Sequence, residues 1–139
     1  MCVIRAYGKR FDAETFANRT TLPVVAVHRR GQPLYPRRGP RSPKAPRSGI
    51  VIRVSRASWD DLPKQIRGAE RFLRKHAAQL IRLGRNKHLD SFVLDFPINL
   101  RIGTGRGGRK IVIQSDRFPS SLVTTAARLG LALELTVYG

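Results

Sequence analysis

The chain has 139 residues, 41% of them hydrophobic, and a net charge of +18 from 27 Lys and Arg against nine Asp and Glu. This length and composition are typical of one folded domain with a single core and exclude a disordered tail. A lone cysteine, Cys2, excludes a disulfide framework and a cysteine-based metal site. The sequence lacks an apolar run of about 20 residues and an N-terminal secretory stretch, so we expect a cytoplasmic protein without a membrane segment.

Arginine supplies most of the positive charge, with 21 residues against six lysines. The planar guanidinium group suits phosphates and carboxylates, so the excess is consistent with recognition of phosphate or of an acidic partner. An arginine-rich coding bias on a solvated surface would give the same count. Net charge bears on association and solubility and not on the fold, so composition leaves both interpretations open.

The first three elements are predicted to be strand, helix and strand. Residues 2–8 alternate in polarity, as in a strand with one covered face. Asp12 is placed to cap a short helix, which should end before Pro23 because proline disfavours helical geometry in the preceding residue. Residues 24–28 (VVAVH) then have the composition of a second strand.

Residues 32–49 interrupt this pattern with five prolines and five positive charges, and contain no acid. Such a segment should sustain neither a helix nor a strand ladder. We predict an extended, flexible loop with polyproline character.

The clearest periodicity of the chain follows this loop. Residues 50–55 (IVIRVS) predict a strand, and apolar residues then recur at alternating steps of four and three between Leu62 and Leu83. With Asp60 and Asp61 as capping side chains and Gly84 as the stop, the pattern predicts one amphipathic helix of about six turns.

The last third is predicted to be strand, glycine-rich turn, strand, helix and strand. Residues 91–102 and 110–115 should form a hairpin, with Pro97 at an edge or bulge. A helix over 118–130 and a strand over 132–138 follow. The predicted fold is therefore a single α+β domain, 1–139, with one mostly antiparallel sheet and a long amphipathic helix and shorter helices packed on one face.

The order of these motifs resembles a widespread bacterial family of small α+β domains of unknown function, some of which look like immunity proteins against toxins. The elements that carry the resemblance are Gly8, Phe11 and Asp12, the pair Leu22-Pro23, the basic turn 28–33, the long helix 60–84 and the closing segment 118–139. The proline-rich loop interrupts the match and is longer and more basic than the family pattern implies. The resemblance implies a binding role without catalytic residues.

The sequence contains no convincing motif for phosphate binding, metal binding or catalysis. The glycine-rich stretch 103–110 has Arg109 where a phosphate-binding Walker loop has lysine, and a strand follows instead of a helix. The three histidines lack the spacing of a metal site, and no residue pattern requires acid–base or nucleophilic catalysis. We therefore expect neither an enzyme nor a metal or other cofactor.

Two classes of partner remain. An acidic protein, such as a toxin neutralised by an immunity or inhibitor protein, is the partner we favour, because a basic surface steers an acidic one into contact. Sequence-independent binding of nucleic acid is the alternative, although the sequence has no recognised nucleic-acid-binding module. The residues predicted to contact the partner are Arg29, Arg30, Tyr35, Arg37, Arg38, Arg41, Arg106 and Arg109.

Overall fold

The computed structural model describes residues 1–104, 106–108, 110–111 and 114–139. Helices and a mostly antiparallel five-stranded sheet confirm the predicted α+β class. The strands are β1 (Val3–Gly8), β2 (Val24–His28), β3 (Ser48–Arg53), β4 (Ser91–Asn99), β5 (Gly103–Thr104), β6 (Lys110–Ile111) and β7 (Ala132–Tyr138). The helices are α1 (Ala13–Arg19), α2 (Leu62–Lys75), α3 (Ala77–Gly84) and α4 (Ser120–Arg128).

The strand order of the main sheet is β2-β3-β1-β4-β7. β1 lies antiparallel between β3 and β4, so that β1-α1-β2 and β3-α2-α3-β4 are two interleaved split β-α-β units. β7 extends this sheet as a parallel neighbour of β4, reached through α4. A parallel neighbour requires such a crossover connection, whereas the other pairs are antiparallel.

The core lies on one face of the sheet. Its strand residues share one parity, for example Ile4, Ile52 and Leu94, which are completely buried and directly paired. Helix residues such as Leu73 and Leu122 complete the cluster. The helices therefore pack on this face, as predicted, and no helix residue of the described chain joins a core on the opposite face.

The predicted helix starts are confirmed at two aspartates. Asp12 accepts a hydrogen bond from the Thr15 amide at 3.1 Å, and Asp61 accepts one from the Lys64 amide at 2.9 Å. The pKa of Asp12 is lowered by a hydrogen bond from the Thr15 side chain and by this amide bond, and the pKa of Asp61 is lowered by the Lys64 amide, since the ionised form is the better acceptor.

The prediction of one continuous helix over 62–84 is wrong. The helix breaks at His76, where φ is −111° and ψ is 17°, so that α2 ends at Lys75 and α3 begins at Ala77. The His76 ring packs 4.5 Å from the Phe72 ring. Because the apolar spacing continues across the break, both helices still cover the sheet.

Two other predictions need correction. Residues 36–41 form two short 3-10 turns separated at Gly39, where φ is 58°, and Pro33 bridges Lys44, so the proline-rich segment does contain helical and paired backbone. The predicted hairpin of 91–102 with 110–115 needs correction in its first strand, because β4 belongs to the main sheet and the described pairs of the hairpin are Gly103 with Ile111 and Thr104 with Lys110. Residues 112 and 113 of the predicted second strand lie outside the described residues. Pro97, as predicted, lies at a local edge: it pairs with β7 and extends beyond the end of β1.

None of the helices in the part of the chain that the structure describes is long and apolar enough to cross a membrane.

Candidate functional site

The basic loop, defined as residues 29–47, is folded onto itself by hydrogen bonds between its two arms. The Gly31 amide donates to the Ala45 carbonyl at 2.8 Å, and the Ala45 amide donates to Gln32 at 2.8 Å. Closer to the tip, the Tyr35 amide donates to the Ser42 hydroxyl oxygen at 2.8 Å. Ala45 and Ser42 are buried between the arms, so the loop has a small interior of its own. The flexibility predicted for this segment stays a prediction.

The basic loop carries seven cations and no acid: Arg29, Arg30, Arg37, Arg38, Arg41, Lys44 and Arg47. Among the described residues, one of the seven forms an ion pair, that of Arg29 with Glu14 of α1. The side chain of Arg29 is still mostly exposed. Like charges this close together repel, and an acidic partner would remove that repulsion.

The tip of the basic loop forms an apolar notch of about 460 Å³, lined by Leu34, Tyr35, Pro36, Arg37 and Arg38. The Tyr35 residue is 53% exposed. The guanidinium carbon of Arg38 lies 4.9 Å from the centre of the Tyr35 ring, in cation–π contact. Tyrosine and arginine are enriched among the few residues that carry most of the binding energy at protein interfaces.

The structure brings six of the eight predicted contact residues together. Arg29, Arg30, Tyr35, Arg37, Arg38 and Arg41 all lie in the basic loop, which joins β2 to β3. Because Gly8 pairs with Ser48 at the start of β3, the basic loop leaves the sheet at the Gly8 end of β1.

The other two predicted residues do not join this surface. β4 starts opposite Tyr7 and continues beyond Val3, so the segment that follows it leaves the sheet at the opposite end. Arg106 lies in that segment, in the turn between β5 and β6. Arg109 lies outside the described residues.

Three residues at the base of the basic loop were not among those predicted: Arg47, which is its last residue, and Tyr7 and His28, which lie next to it. The Arg47 guanidinium carbon lies 6.0 Å from the centre of the Tyr7 ring, and the His28 ring lies 5.8 Å from it on the same side of the sheet. Burial lowers the pKa of His28, which disfavours its charged form. Burial also raises the pKa of Tyr7, with the charges of Arg5 and Arg47 opposing that shift. The alternating polarity of β1 predicts that Tyr7 and Ile4 lie on opposite faces of the sheet. It does not predict that the face with Tyr7, called the uncovered face below, has no helices of the described chain packed on it.

The middle of the uncovered face is an ion-pair network. Arg5 lies 2.8 Å from a Glu134 oxygen and 3.5 Å from an Asp95 oxygen. The Thr136 hydroxyl donates to the other Asp95 oxygen at 2.7 Å. The Asp95 side chain is only 7% exposed, whereas Glu134 is 49% exposed. The two carboxylates offset the Arg5 charge, so the centre of this face is not a cationic surface for phosphates.

We expect replacement of Arg5 by leucine to destabilise the fold by about 2 to 3 kcal/mol, because the buried Asp95 carboxylate loses its ion-pair partner. The measurement is the free energy of unfolding in urea. The matched control is Glu134→Gln, which removes the exposed member of the same network and should cost less than about 1 kcal/mol. Equal effects of the two substitutions would show that Asp95 does not depend on Arg5.

The described residues contain no group of three or more His, Cys, Asp or Glu side chains arranged to hold a metal ion. The solitary thiol of Cys2 is buried, and this burial raises its pKa, which disfavours the nucleophilic thiolate. Comparison with protein families, with curated proteins and with solved structures gives no match for this chain. The resemblance to the bacterial family therefore stays a prediction.

Proposed function

We propose that this chain is a non-enzymatic binding module that docks an acidic surface of another protein through the basic loop. The observation that carries the proposal is the apolar notch at the loop tip, surrounded by cations and without an acidic residue in residues 29–47. The resemblance supports a more specific form, an immunity or inhibitor protein that covers the acidic surface of a toxin.

The charge of the basic loop supplies the association step. Six of its seven cations have no ion-pair partner among the described residues, and all lie at one end of the sheet. A one-sided positive field attracts an acidic surface over about a Debye length and raises the association rate. The rate should therefore fall as salt is added.

The notch supplies the short-range contacts. Tyr35 offers an exposed ring held by Arg38, and Leu34 and Pro36 give the notch an apolar lining. A protein side chain inserted here would bury apolar area, which a phosphate backbone would not do. This difference favours a protein over duplex nucleic acid as the partner, because the bases of a duplex are stacked inside the helix and do not reach the notch.

Nucleic acid remains the second candidate because the net charge is +18. Proteins that bind single strands without sequence preference combine cations with aromatic stacking platforms. On the uncovered sheet face, Tyr7 is flanked by Arg47 and His28, and the centre carries Asp95 and Glu134. The carboxylates would repel phosphate, so any nucleic acid should bind to the basic loop instead.

Reversal of three loop charges tests the proposal. We expect Arg37→Glu, Arg38→Glu and Arg41→Glu together to slow association with the protein partner about tenfold or more at low salt and to reduce the salt dependence of the rate. The partner is first captured from a lysate of the source cells treated with nuclease, and association is then followed by stopped-flow or surface binding.

The control carries the same change in net charge at a distance from the basic loop. Arg67, Arg71 and Arg74 are exposed on α2, and their reversal to glutamate also lowers the net charge by six units. If this control slows association as much as the loop variant does, the loop is not the docking surface. Capture of nucleic acid alone, lost after nuclease or added salt, would support the second candidate.

A further inference from the structure

A pocket of about 250 Å³ lies between α1 and α3, on the helix side of the sheet and separate from the basic loop. It is lined by Phe16, Arg19, Thr20, Thr21, Gln79 and Arg82. The lining comes from the second half of α1, the two residues after it, and the facing side of α3. The pocket is therefore formed where two separate segments of the chain meet.

Two arginines approach this pocket from opposite segments. Arg19 closes α1 and Arg82 lies in the last turn of α3. Neither forms an ion pair among the described residues, and no carboxylate lines the pocket. Asp12, the cap of α1, lines a neighbouring cavity together with Arg19, and hydrogen bonds from Thr15 and the charge of Arg19 lower the pKa of Asp12. Two unpaired guanidinium groups around one concavity favour a dianion.

The polar groups between the arginines add donors for such an anion. The Thr20 hydroxyl oxygen accepts from the Leu22 amide at 3.1 Å, and the Thr21 hydroxyl oxygen accepts from Gln79 Nε2 at 2.7 Å. Among the described residues neither hydroxyl donates to a protein acceptor, so each keeps its hydrogen for a ligand.

One group of the pocket, the side-chain oxygen of Gln79, requires a hydrogen-bond donor and not an acceptor. The side-chain oxygen of Gln79 is buried and has no donor among the described residues. A buried acceptor without a partner is costly, so the Gln79 side chain gains a hydrogen bond if it turns this oxygen toward a hydroxyl of a ligand in the pocket. Phe16, half-buried at the same pocket, offers apolar surface to a carbon skeleton.

We propose that this pocket binds the phosphate monoester of a small hydroxylated molecule. The two arginines and two threonine hydroxyls meet the phosphate oxygens, Gln79 Oε1 accepts from a ligand hydroxyl, and Phe16 contacts the carbon skeleton. Arginine suits this role because its fork binds two phosphate oxygens at once. The site is independent of the proposed docking of an acidic protein, because the two surfaces share no residue.

The test is a titration of the full chain with ribose 5-phosphate, inorganic phosphate and ribose at constant ionic strength, followed by amide NMR shifts. We expect saturable shifts confined to residues 16–21 and 79–82. Ribose 5-phosphate should bind about tenfold more tightly than inorganic phosphate, which cannot contact Phe16. Ribose alone should give no shift. Equal affinities for the ester and for inorganic phosphate would overturn the assignment of a hydroxylated ligand.

Substitutions distinguish binding of the phosphate ester in the pocket from nonspecific attraction of an anion to a basic protein. Arg19→Gln and Arg82→Gln should each weaken ribose 5-phosphate binding about tenfold, because each loses a charged hydrogen-bond donor. Arg74→Gln removes the same charge from an exposed site on α2 and should leave affinity unchanged within about twofold. Gln79→Met should remove most of the preference for ribose 5-phosphate over inorganic phosphate, because methionine offers no acceptor to the ligand hydroxyl. Shifts centred on the basic loop, or equal losses in Arg74→Gln and Arg82→Gln, would overturn the proposal.

Discussion

Replacement of Gly8 by alanine is expected to lower the free energy of unfolding by at least about 3 kcal/mol. A β-carbon at this position would overlap the carbonyl oxygen of His88 and lie 2.9 Å from the carbonyl carbon. The obstacle is backbone, which cannot turn aside as a side chain can. The same loop is fixed to β1 by the Asp90 amide, which donates to the Tyr7 carbonyl at 2.8 Å. Urea denaturation followed by circular dichroism measures the loss.

Gly68→Ala is the matched control. A β-carbon at Gly68 would meet the Ser55 hydroxyl oxygen at 2.7 Å and the Ser55 β-carbon at 2.9 Å. The hydroxyl can rotate away, but the β-carbon has to shift together with the irregular segment between β3 and α2. Gly68 lies inside α2, where alanine is favoured over glycine by roughly 0.5 to 1 kcal/mol. Because this helix propensity offsets part of the strain at Ser55, we expect a loss of less than about 1.5 kcal/mol. A Gly8→Ala protein as stable as Gly68→Ala would show that the loop before β4 moves away freely.

The second large effect is expected at Phe96, where replacement by alanine should cost about 3 to 5 kcal/mol. The side chain is completely buried on β4, and its ring centre lies 4.9 Å from that of Phe118, in a tilted aromatic pair. Removal leaves a cavity between the sheet and the segment before α4, which the packed surroundings fill only in part. Guanidinium denaturation should show a lower midpoint with an unchanged slope.

Val123→Ala is the control for Phe96→Ala. Val123 is 46% exposed on α4, the helix that follows Phe118. Its truncation should change the free energy of unfolding by less than about 0.5 kcal/mol. If the two substitutions cost the same, Phe96 is not packed as the structure shows.

The elements with a strong local signal could be predicted from the sequence. Alternating polarity identified β1 and β7, and the side chains of Asp12 and Asp61 marked two helix starts. The break at His76 could not be predicted, because apolar residues keep the same spacing before and after it. A pattern of burial reports which residues face the sheet, and a single non-helical residue leaves that pattern unchanged.

The proline-rich segment shows a different limit. Proline excludes regular ladders, but the pairing of Gly31 with Ala45 and of Tyr35 with Ser42 uses isolated hydrogen bonds that follow no period. Such bonds form only when both arms of the basic loop have folded against each other. The conformational preference of each residue taken alone does not predict this arrangement.

The candidate site was predictable in composition but not in position. The absence of acids in the basic loop is visible in the sequence, and six of the predicted residues belong to it. The separation of Arg106 from them follows from strand register, which places the turn after β4 at the opposite end of the sheet. The pocket of Arg19 and Arg82 brings together residues 63 positions apart (82 − 19). Spacing along a chain carries no information about such a contact.

The parallel pairing of β7 with β4 also bears on the order in which the molecule assembles. Both interleaved split units are complete once β4 has been made, whereas α4 and β7 leave the ribosome later. Until then β4 has an open edge, and Phe96 and Ile98 lack the covering that Leu122 and Leu135 provide in the finished core. A chain that lacked α4 and β7 would expose this edge, and an unpaired strand edge of this kind favours pairing with other chains and aggregation.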